Sequence, residues 1–265
     1  MKQTSFQHTN ICYNIIGDGI PVMLIHGFAE DSTVWDNQVD FLKNDFKLII
    51  PDLPGSGKSG LIDKKETGIE DYAGCIKEIL VAENISRCIM IGHSMGGYIT
   101  LAFAEKFPET LIIFGLFHSS AYADDEPKKE TRKKAITFIK EHGAFPFLQT
   151  SIPGLFSTQS NSGLVNALIE KGKAFSAEAL IQYYQAMIAR PDRTDILKKA
   201  RVPILFIMGE HDKAVPFKHS LGQSYLPDQS YVYILRKTAH MGMLEEPERA
   251  NEILANFLLS QKAFV

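Results

Sequence analysis

The stretch CIMIGHSMGGYITLAFAEKF, residues 88–107, decides the fold. A short apolar run precedes a serine with glycines two positions away on either side, and a helical pattern follows. A serine that turns sharply between a strand and a helix needs small flanking residues, because larger side chains would collide there. Such a turn lifts the Ser94 hydroxyl clear of the sheet and leaves the Met95 amide at the helix start. We predict that Ser94 is a nucleophile and that Met95 contributes to an oxyanion hole.

In the rest of the chain, short apolar runs are likewise followed by turn-forming residues and then by a helical pattern. Further apolar runs lie at 22–25, 46–50, 111–117, 202–208 and 232–235. Continuous apolar strands are typical of parallel sheets covered by helices on both faces. Helical patterns at 69–83, 95–106 and 247–259 alternate with them, which predicts right-handed βαβ units and an α/β fold. Phe6 and residues 11–16 predict an antiparallel hairpin at the sheet edge.

Residues 122–199 interrupt this rhythm between the fourth and fifth parallel strands. Their patterns predict helices at 126–141, 145–158, 164–169 and 177–189. The interval is far longer than one crossover needs. We predict a helical cap at 122–199 over the strand ends, inserted into a core formed by 1–121 and 200–265. A separate binding domain is the alternative.

Two motifs follow the fifth and sixth parallel strands, GEHD at 209–212 and AHMG at 239–242. A serine cannot lose its proton at neutral pH without a base, and an imidazole is suited to that task. A buried carboxylate is then needed to orient the imidazole. We predict His240 as the base and Asp212 as the acid, because the order serine, acid, histidine is the one this arrangement uses. Asp124 and Asp125, in a charged stretch that is expected to be solvated, are the alternative acids.

A second oxyanion donor and a pocket residue are predicted from other strand ends. His26-Gly27-Phe28 follows the first parallel strand, so the Phe28 amide is placed to face the same oxygen as Met95. His118 directly follows the fourth strand and is predicted to reach the substrate pocket. The remaining histidines are expected to be solvated or to pack beside the motifs.

The loop DLPGSGKS at 52–59 ends like a phosphate-binding loop. That motif requires a glycine five residues before the second glycine, and Asp52 occupies the position. We predict a rigid loop that shapes the pocket floor.

The composition of the chain argues against several other classes of protein. The chain has 265 residues, 45% of them hydrophobic, and a net charge of −3, which gives no general attraction to nucleic acid or anionic membrane. Its three cysteines form no CxxC pair, so neither a zinc site nor a disulfide framework is indicated. The first ten residues lack the apolar core of a signal peptide, and no apolar run approaches membrane-spanning length. A cytoplasmic enzyme is expected.

Together these motifs resemble the α/β-hydrolase superfamily, in its capped, esterase-like and haloperoxidase-like branch. HGF with Trp35 downstream, DLPGSGKS, GHSMGG, GEHD and AHMGMLEEP occur in family order over nearly the whole chain. The resemblance implies an eight-stranded, mostly parallel sheet, no metal, no organic cofactor, and a triad of Ser94, Asp212 and His240. Trp35 joins His118 as an expected pocket residue. Ser94 at the turn excludes the branches with an aspartate nucleophile.

These features predict a serine hydrolase that cleaves a small ester-like substrate through an acyl-enzyme. Seven aromatic and aliphatic residues of the predicted cap favour a substrate with an apolar part, although most of them are expected to pack against the core. They are Phe145, Phe147, Leu148, Phe156, Tyr183, Tyr184 and Met187. Alternatives on the same triad are a C–C hydrolase, thioesterase, lactonase or aminopeptidase. A slow-turnover ligand receptor is the alternative outside catalysis.

Overall fold

The computed structural model describes residues 1–261 and contains one eight-stranded sheet in the order β1-β2-β4-β3-β5-β6-β7-β8. The strands are β1 Lys2–Phe6, β2 Thr9–Ile16, β3 Ile20–Ile25, β4 Phe46–Pro51, β5 Cys88–His93, β6 Leu111–Phe117, β7 Ile204–Gly209 and β8 Ser230–Leu235. β1 and β2 pair antiparallel, and β2 also pairs antiparallel with β4. All remaining neighbours are parallel. The predicted edge hairpin and α/β sheet are confirmed.

Helices cover both faces of this sheet, as its buried strands require. The α-helices outside the 122–199 interval are α1 Asp36–Leu42, α2 Ile69–Ala82, α3 Met95–Lys106, α9 Phe217–Ser224, α10 Gly242–Glu245 and α11 Pro247–Ser260. Every residue of β5, β6 and β7 is buried, so the centre of the sheet forms the core. Cys12, Cys75 and Cys88 are buried and free, as expected of small apolar residues.

Five α-helices lie between β6 and β7. They are α4 Glu126–His142, α5 Ala144–Ser151, α6 Ser162–Lys171, α7 Ala177–Ala189 and α8 Thr194–Lys199. The helix predicted at 145–158 is shorter than expected, because a 3₁₀ turn with Pro153 near its start, Ile152–Leu155, ends it. The division into a core and a cap at 121/122 and 199/200 stays a prediction.

The start of β7 and the burial of β8 differ from what their sequence patterns predict. β7 begins at Ile204 rather than at residue 202, because Pro203 has no N–H to donate to a neighbouring strand. β8 is an edge strand, and Val232 and Ile234 on it are each 39% exposed, so its apolar run is buried on one face alone.

Among residues 1–261, no helix combines the length and apolar character needed to cross a membrane.

Candidate active site

Ser94 occupies the turn between β5 and α3 with φ 49° and ψ −115°. A non-glycine residue with this positive φ is strained, and the surrounding structure must hold it. The Ser94 amide donates to the Phe117 carbonyl at 3.0 Å, which ties the turn to β6. A Cβ atom at Gly92 would overlap the carbonyl oxygen of Gly96, so the chain approaches itself too closely there for any other residue. The sequence therefore builds the sharp turn predicted for it.

His240 follows β8 and contacts both partners predicted for it. Its Nε2 lies 2.9 Å from Ser94 Oγ, and its Nδ1 lies 2.8 Å from an Asp212 carboxylate oxygen. The His240 amide donates to the Leu155 carbonyl at 2.9 Å, so the inserted helices help to hold the histidine loop. With Nδ1 donating to Asp212, Nε2 is left as the acceptor for the serine proton.

Asp212 lies just beyond β7, in a turn that uses both carboxylate oxygens. One oxygen accepts from the amides of Ala214 and Val215 at 2.8 and 2.9 Å, and the other faces His240. Burial raises the pKa of this carboxyl, but the adjacent His240 outweighs burial and holds the pKa below its usual range. The carboxylate is thus charged and fixed in orientation.

The amides of Phe28 and Met95, predicted as oxyanion donors, form no hydrogen bond with the protein in residues 1–261. The loop carrying Phe28 packs directly on the nucleophile, since a Cβ atom at Gly27 would lie 3.1 Å from Ser94 Cβ. The Gly27 amide donates to a Glu30 carboxylate oxygen at 2.7 Å, which holds the loop in place. Two free donors beside a serine are the components of an oxyanion hole.

A buried pair beneath the site, His93 and Glu30, was not identified from the sequence. His93 Nδ1 lies 3.0 Å from a Glu30 carboxylate oxygen, and its Nε2 lies 2.9 Å from the His240 carbonyl oxygen. Because both ring nitrogens face acceptors, both donate and the ring is an imidazolium. Burial lowers the pKa of His93, but Glu30 and the His240 carbonyl outweigh burial and raise it. The one sequence signal was the presence of two titratable residues beside the HGF and GHSMGG motifs.

The structure places His118 and Trp35 away from the cavity, which corrects their assignment to the substrate pocket. His118 is 1% exposed and lies behind Asp212, with Nδ1 accepting from the Gly209 amide at 3.0 Å. Trp35 is fully buried and packs edge-on against the rings of His93 and Phe117. Both residues support the site from within the core.

A group of side chains with metal-binding donor types lies at the same place. The donor atoms of His118, Asp212 and His240 lie within 4.8 Å of one another. Hydrogen bonds already use them, since His118 Nδ1 accepts from Gly209 and one Asp212 oxygen faces His240. The hydrogen-bond pattern of a triad therefore accounts for this donor set.

Asp124 and Asp125, the alternative acids, lie elsewhere. Asp125 caps α4 by accepting from the Lys128 amide at 2.9 Å. Asp124 is 5% exposed and is paired with Arg132 and Arg190, whereas the sequence predicted a solvated carboxylate. The local run of acidic and basic residues concealed this burial.

The loop at 52–59 also differs from its prediction, because none of its residues lines the cavity beside Ser94. Asp52 instead closes the loop by accepting from the amides of Ser32 and Lys58 at 3.0 and 2.9 Å. His26 Nε2 accepts from the Leu53 amide at 2.9 Å, so the loop braces the segment that carries Phe28.

Ser94 and His240 open into a cavity of about 1000 Å³ between the sheet and the inserted helices. Of the seven apolar residues that favoured an apolar substrate part, Phe147, Tyr184 and Met187 line this cavity. The others, Phe145, Leu148, Phe156 and Tyr183, pack elsewhere. The volume suits a small organic substrate.

Comparison with known proteins shows which family this chain resembles. Residues 20–226 match the family described as serine aminopeptidase, S33. A non-heme chloroperoxidase of Streptomyces lividans is 27% identical, with 83% of this chain and 85% of the relative covered. A 2-hydroxy-6-oxo-6-phenylhexa-2,4-dienoate hydrolase of Comamonas testosteroni is 24% identical, with 94% and 91% covered.

A solved structure is similar throughout. The thermophilic esterase from Thermogutta terrifontis, solved with malate bound, has a TM-score of 0.91 and 26% identity, with 96% of this chain and 94% of that chain covered. The family match spans most of the chain and includes the strand, turn and helix around Ser94. The chain therefore belongs to the serine aminopeptidase S33 family of α/β-hydrolases.

Proposed function

We propose that this hydrolase cleaves a small carboxylic ester through a triad of Ser94, His240 and Asp212. The proposal rests on two contacts of His240. Its Nε2 lies 2.9 Å from Ser94 Oγ, and its Nδ1 lies 2.8 Å from an Asp212 carboxylate oxygen. The similarity to the Thermogutta terrifontis esterase supports an ester as the bond that is cleaved.

The proposed reaction has two acyl transfers. His240 accepts the Ser94 proton as Oγ attacks the ester carbonyl carbon, and the Phe28 and Met95 amides bind the resulting oxyanion. One such donor is typically worth about 3 kcal/mol of transition-state stabilisation. His240 then donates its proton to the departing alkoxide, leaving an acyl-serine. Water repeats the sequence and releases the acid.

We propose that residues 122–199 form the cap that determines the substrate. Phe147, Tyr184 and Met187 come from this segment and line the cavity, so it supplies much of the surface that a substrate would contact. The cap would exclude water while the acyl-enzyme forms.

Aminopeptidase activity, named in the family description, is the second candidate. A substrate ammonium group would need a free carboxylate, but the buried acidic residues that line the cavity are already paired, and Asp125 on its rim caps α4. Glu30 accepts from His93 and Gly27, while Asp124 faces Arg132 and Arg190. These contacts favour an ester over an aminoacyl amide.

A fluorophosphonate probe tests the nucleophile. It should label the wild type once and leave Ser94→Ala unlabelled. Ser120→Ala is the matched control, because Ser120 lines the same cavity and should not affect labelling. Labelling that persists in Ser94→Ala would refute the assignment.

A substrate panel then tests the bond. The panel compares kcat/KM for esters, thioesters, lactones, aminoacyl amides and a vinylogous 1,5-diketone. Esters should have the highest kcat/KM. A best substrate of another class would replace the ester, and turnover that stalls near one event per chain would indicate a receptor.

A further inference from the structure

The cavity has a positively charged region one helical turn beyond the nucleophile. Tyr98 lies four residues after Ser94 on α3, and its amide donates to the Ser94 carbonyl at 3.3 Å. Lys128, Arg132 and Arg190 line the cavity with it. A turn of α-helix rises about 5.4 Å, so this region lies within reach of a small substrate held at Ser94.

The Arg190 guanidinium in this region is fully occupied by contacts within the protein. Its guanidinium donates to the Met187 carbonyl at 3.1 Å and the Tyr122 carbonyl at 2.8 Å, and it lies 3.0 Å from Asp124. It also stacks over the Tyr98 ring at 3.9 Å. Arg190 therefore fixes the wall of the cavity rather than binding a substrate.

The Arg132 guanidinium is only partly occupied by contacts within the protein. Its Nε donates to Asp124 at 2.6 Å, while its two terminal nitrogens form no hydrogen bond with residues 1–261. The Tyr98 hydroxyl is likewise unpaired within the described chain, although Tyr98 is 3% exposed. A guanidinium edge and a phenol thus face one cavity without a partner. Both groups are therefore open to the cavity and available to a ligand.

The charge around these groups is unbalanced. Lys128, Arg132 and Arg190 surround a single buried carboxylate, Asp124. Asp125 on the rim is exposed and caps α4. Burial raises the pKa of the Tyr98 phenol, yet Arg190, Lys128 and Arg132 outweigh it and lower that pKa. The hydroxyl therefore experiences a positive potential.

We propose that the substrate carries a carboxylate, which the free edge of Arg132 and the Tyr98 hydroxyl bind. The planar guanidinium presents paired donors that match the two oxygens of a carboxylate. This inference rests on the proposed ester hydrolysis and specifies its substrate class. Because Ser94, Tyr98 and Arg132 line one cavity, a flexible chain of a few carbons would let a carboxylate at its far end reach this region from the ester carbonyl.

Matched esters test the proposal. Mono-4-nitrophenyl adipate should be hydrolysed with a kcat/KM at least about tenfold above that of 4-nitrophenyl hexanoate, since a charge-assisted contact contributes one or more factors of ten. In Arg132→Gln the ratio of the two values should fall about ten- to hundredfold. Arg132→Lys should retain part of the preference. Lys134→Gln, an exposed change on the same helix, should leave the ratio unchanged.

The charge could lie on the other side of the ester bond, and a second pair tests that arrangement. The acetyl ester of 4-hydroxybutyrate should be compared with butyl acetate in a pH-stat. A preference for the charged member of either pair that disappears in Arg132→Gln supports the proposal. No preference in either pair, or a preference that survives in Arg132→Gln, overturns it.

Binding measurements separate this proposal from the hydrolytic function. Adipate titrated calorimetrically into the wild type should bind, and Arg132→Gln should weaken it at least about tenfold. This result would support the carboxylate site even if no ester were hydrolysed. Equal binding to both proteins, absence of binding, or tighter binding of inorganic phosphate would overturn it.

Discussion

His93 donates through Nδ1 to a Glu30 carboxylate oxygen 3.0 Å away, and this buried ion pair joins the two halves of the proposed site. The same Glu30 oxygen accepts from Gly27 in the loop of Phe28, and His93 Nε2 holds the carbonyl of His240. The pair therefore holds in place both the loop of Phe28, a proposed oxyanion donor, and the loop of His240, the proposed general base.

Glu30→Gln should remove the countercharge of the His93 imidazolium. Because a buried charge without its partner is costly, we expect a loss of about 3 kcal/mol in the free energy of unfolding, measured by urea denaturation. Glu210→Gln, at an exposed position after β7, should stay within about 0.5 kcal/mol of the wild type. If both variants were equally stable, the ring of His93 would not be charged.

Asp212→Asn should lower kcat by about 10⁴-fold with the fold intact, since the histidine would be held in the wrong tautomer. Steady-state kinetics on the best ester, with circular dichroism as a check of folding, measure this. Asp125→Asn should stay within about tenfold of the wild type, because Asp125 caps an exposed helix start. The reverse ranking would assign the acid to the segment after β6.

Gly27→Ala should lower kcat by about a hundredfold. The added methyl would lie 3.0 Å from His93 Nδ1 and 3.1 Å from Ser94 Cβ, so the loop that carries the Phe28 amide must shift. Gly60→Ala is the control, because its Cβ would meet its nearest neighbour at an ordinary 3.6 Å. Equal activity of the two variants would argue against an oxyanion role for this loop.

His118 should make stability depend on pH. Burial lowers its pKa to about 4, against 6.5 for an ordinary histidine, so the unfolded chain binds the extra proton between these values. The contribution of neutral His118 is complete above pH 6.5 and is lost as the pH falls toward 4. Relative to His118→Gln, the wild type should lose up to about 1.4 kcal/mol per pH unit in this window.

Urea denaturation of both proteins from pH 4.5 to 7.5 would measure this difference. Their stabilities should run parallel above about pH 7 and converge below it. Parallel curves over the whole range would show that the pKa of His118 is not lowered by folding.

The parts predicted well from sequence are those set by neighbouring residues. β6 and the helices α3 and α7 have the predicted bounds, because apolar run and helical period are local properties. The grouping of Ser94, Asp212 and His240 followed from the order of their motifs along the chain and from the position of each motif after a predicted strand.

The parts predicted poorly depend on distant partners. Asp124 lies in a run of charged residues and was expected in water, but its partner Arg190 comes 66 positions later, from the end of α7. His118 and Trp35 follow motif positions, yet the direction of each side chain is set by the packing of the core. Local sequence does not encode such directions.

The chain segments before α4 and after α7 meet through one backbone hydrogen bond. The Arg193 amide donates to the Ala121 carbonyl at 2.8 Å, and the Arg193 side chain pairs with Glu70 on α2 and Glu105 on α3. The distance between these two segments is therefore fixed by contacts with α2, α3 and the end of β6 rather than by the helices that lie between the segments. For the proposed cap, such a join would let one set of helices be exchanged for another of different length without moving the strand ends that carry the proposed triad.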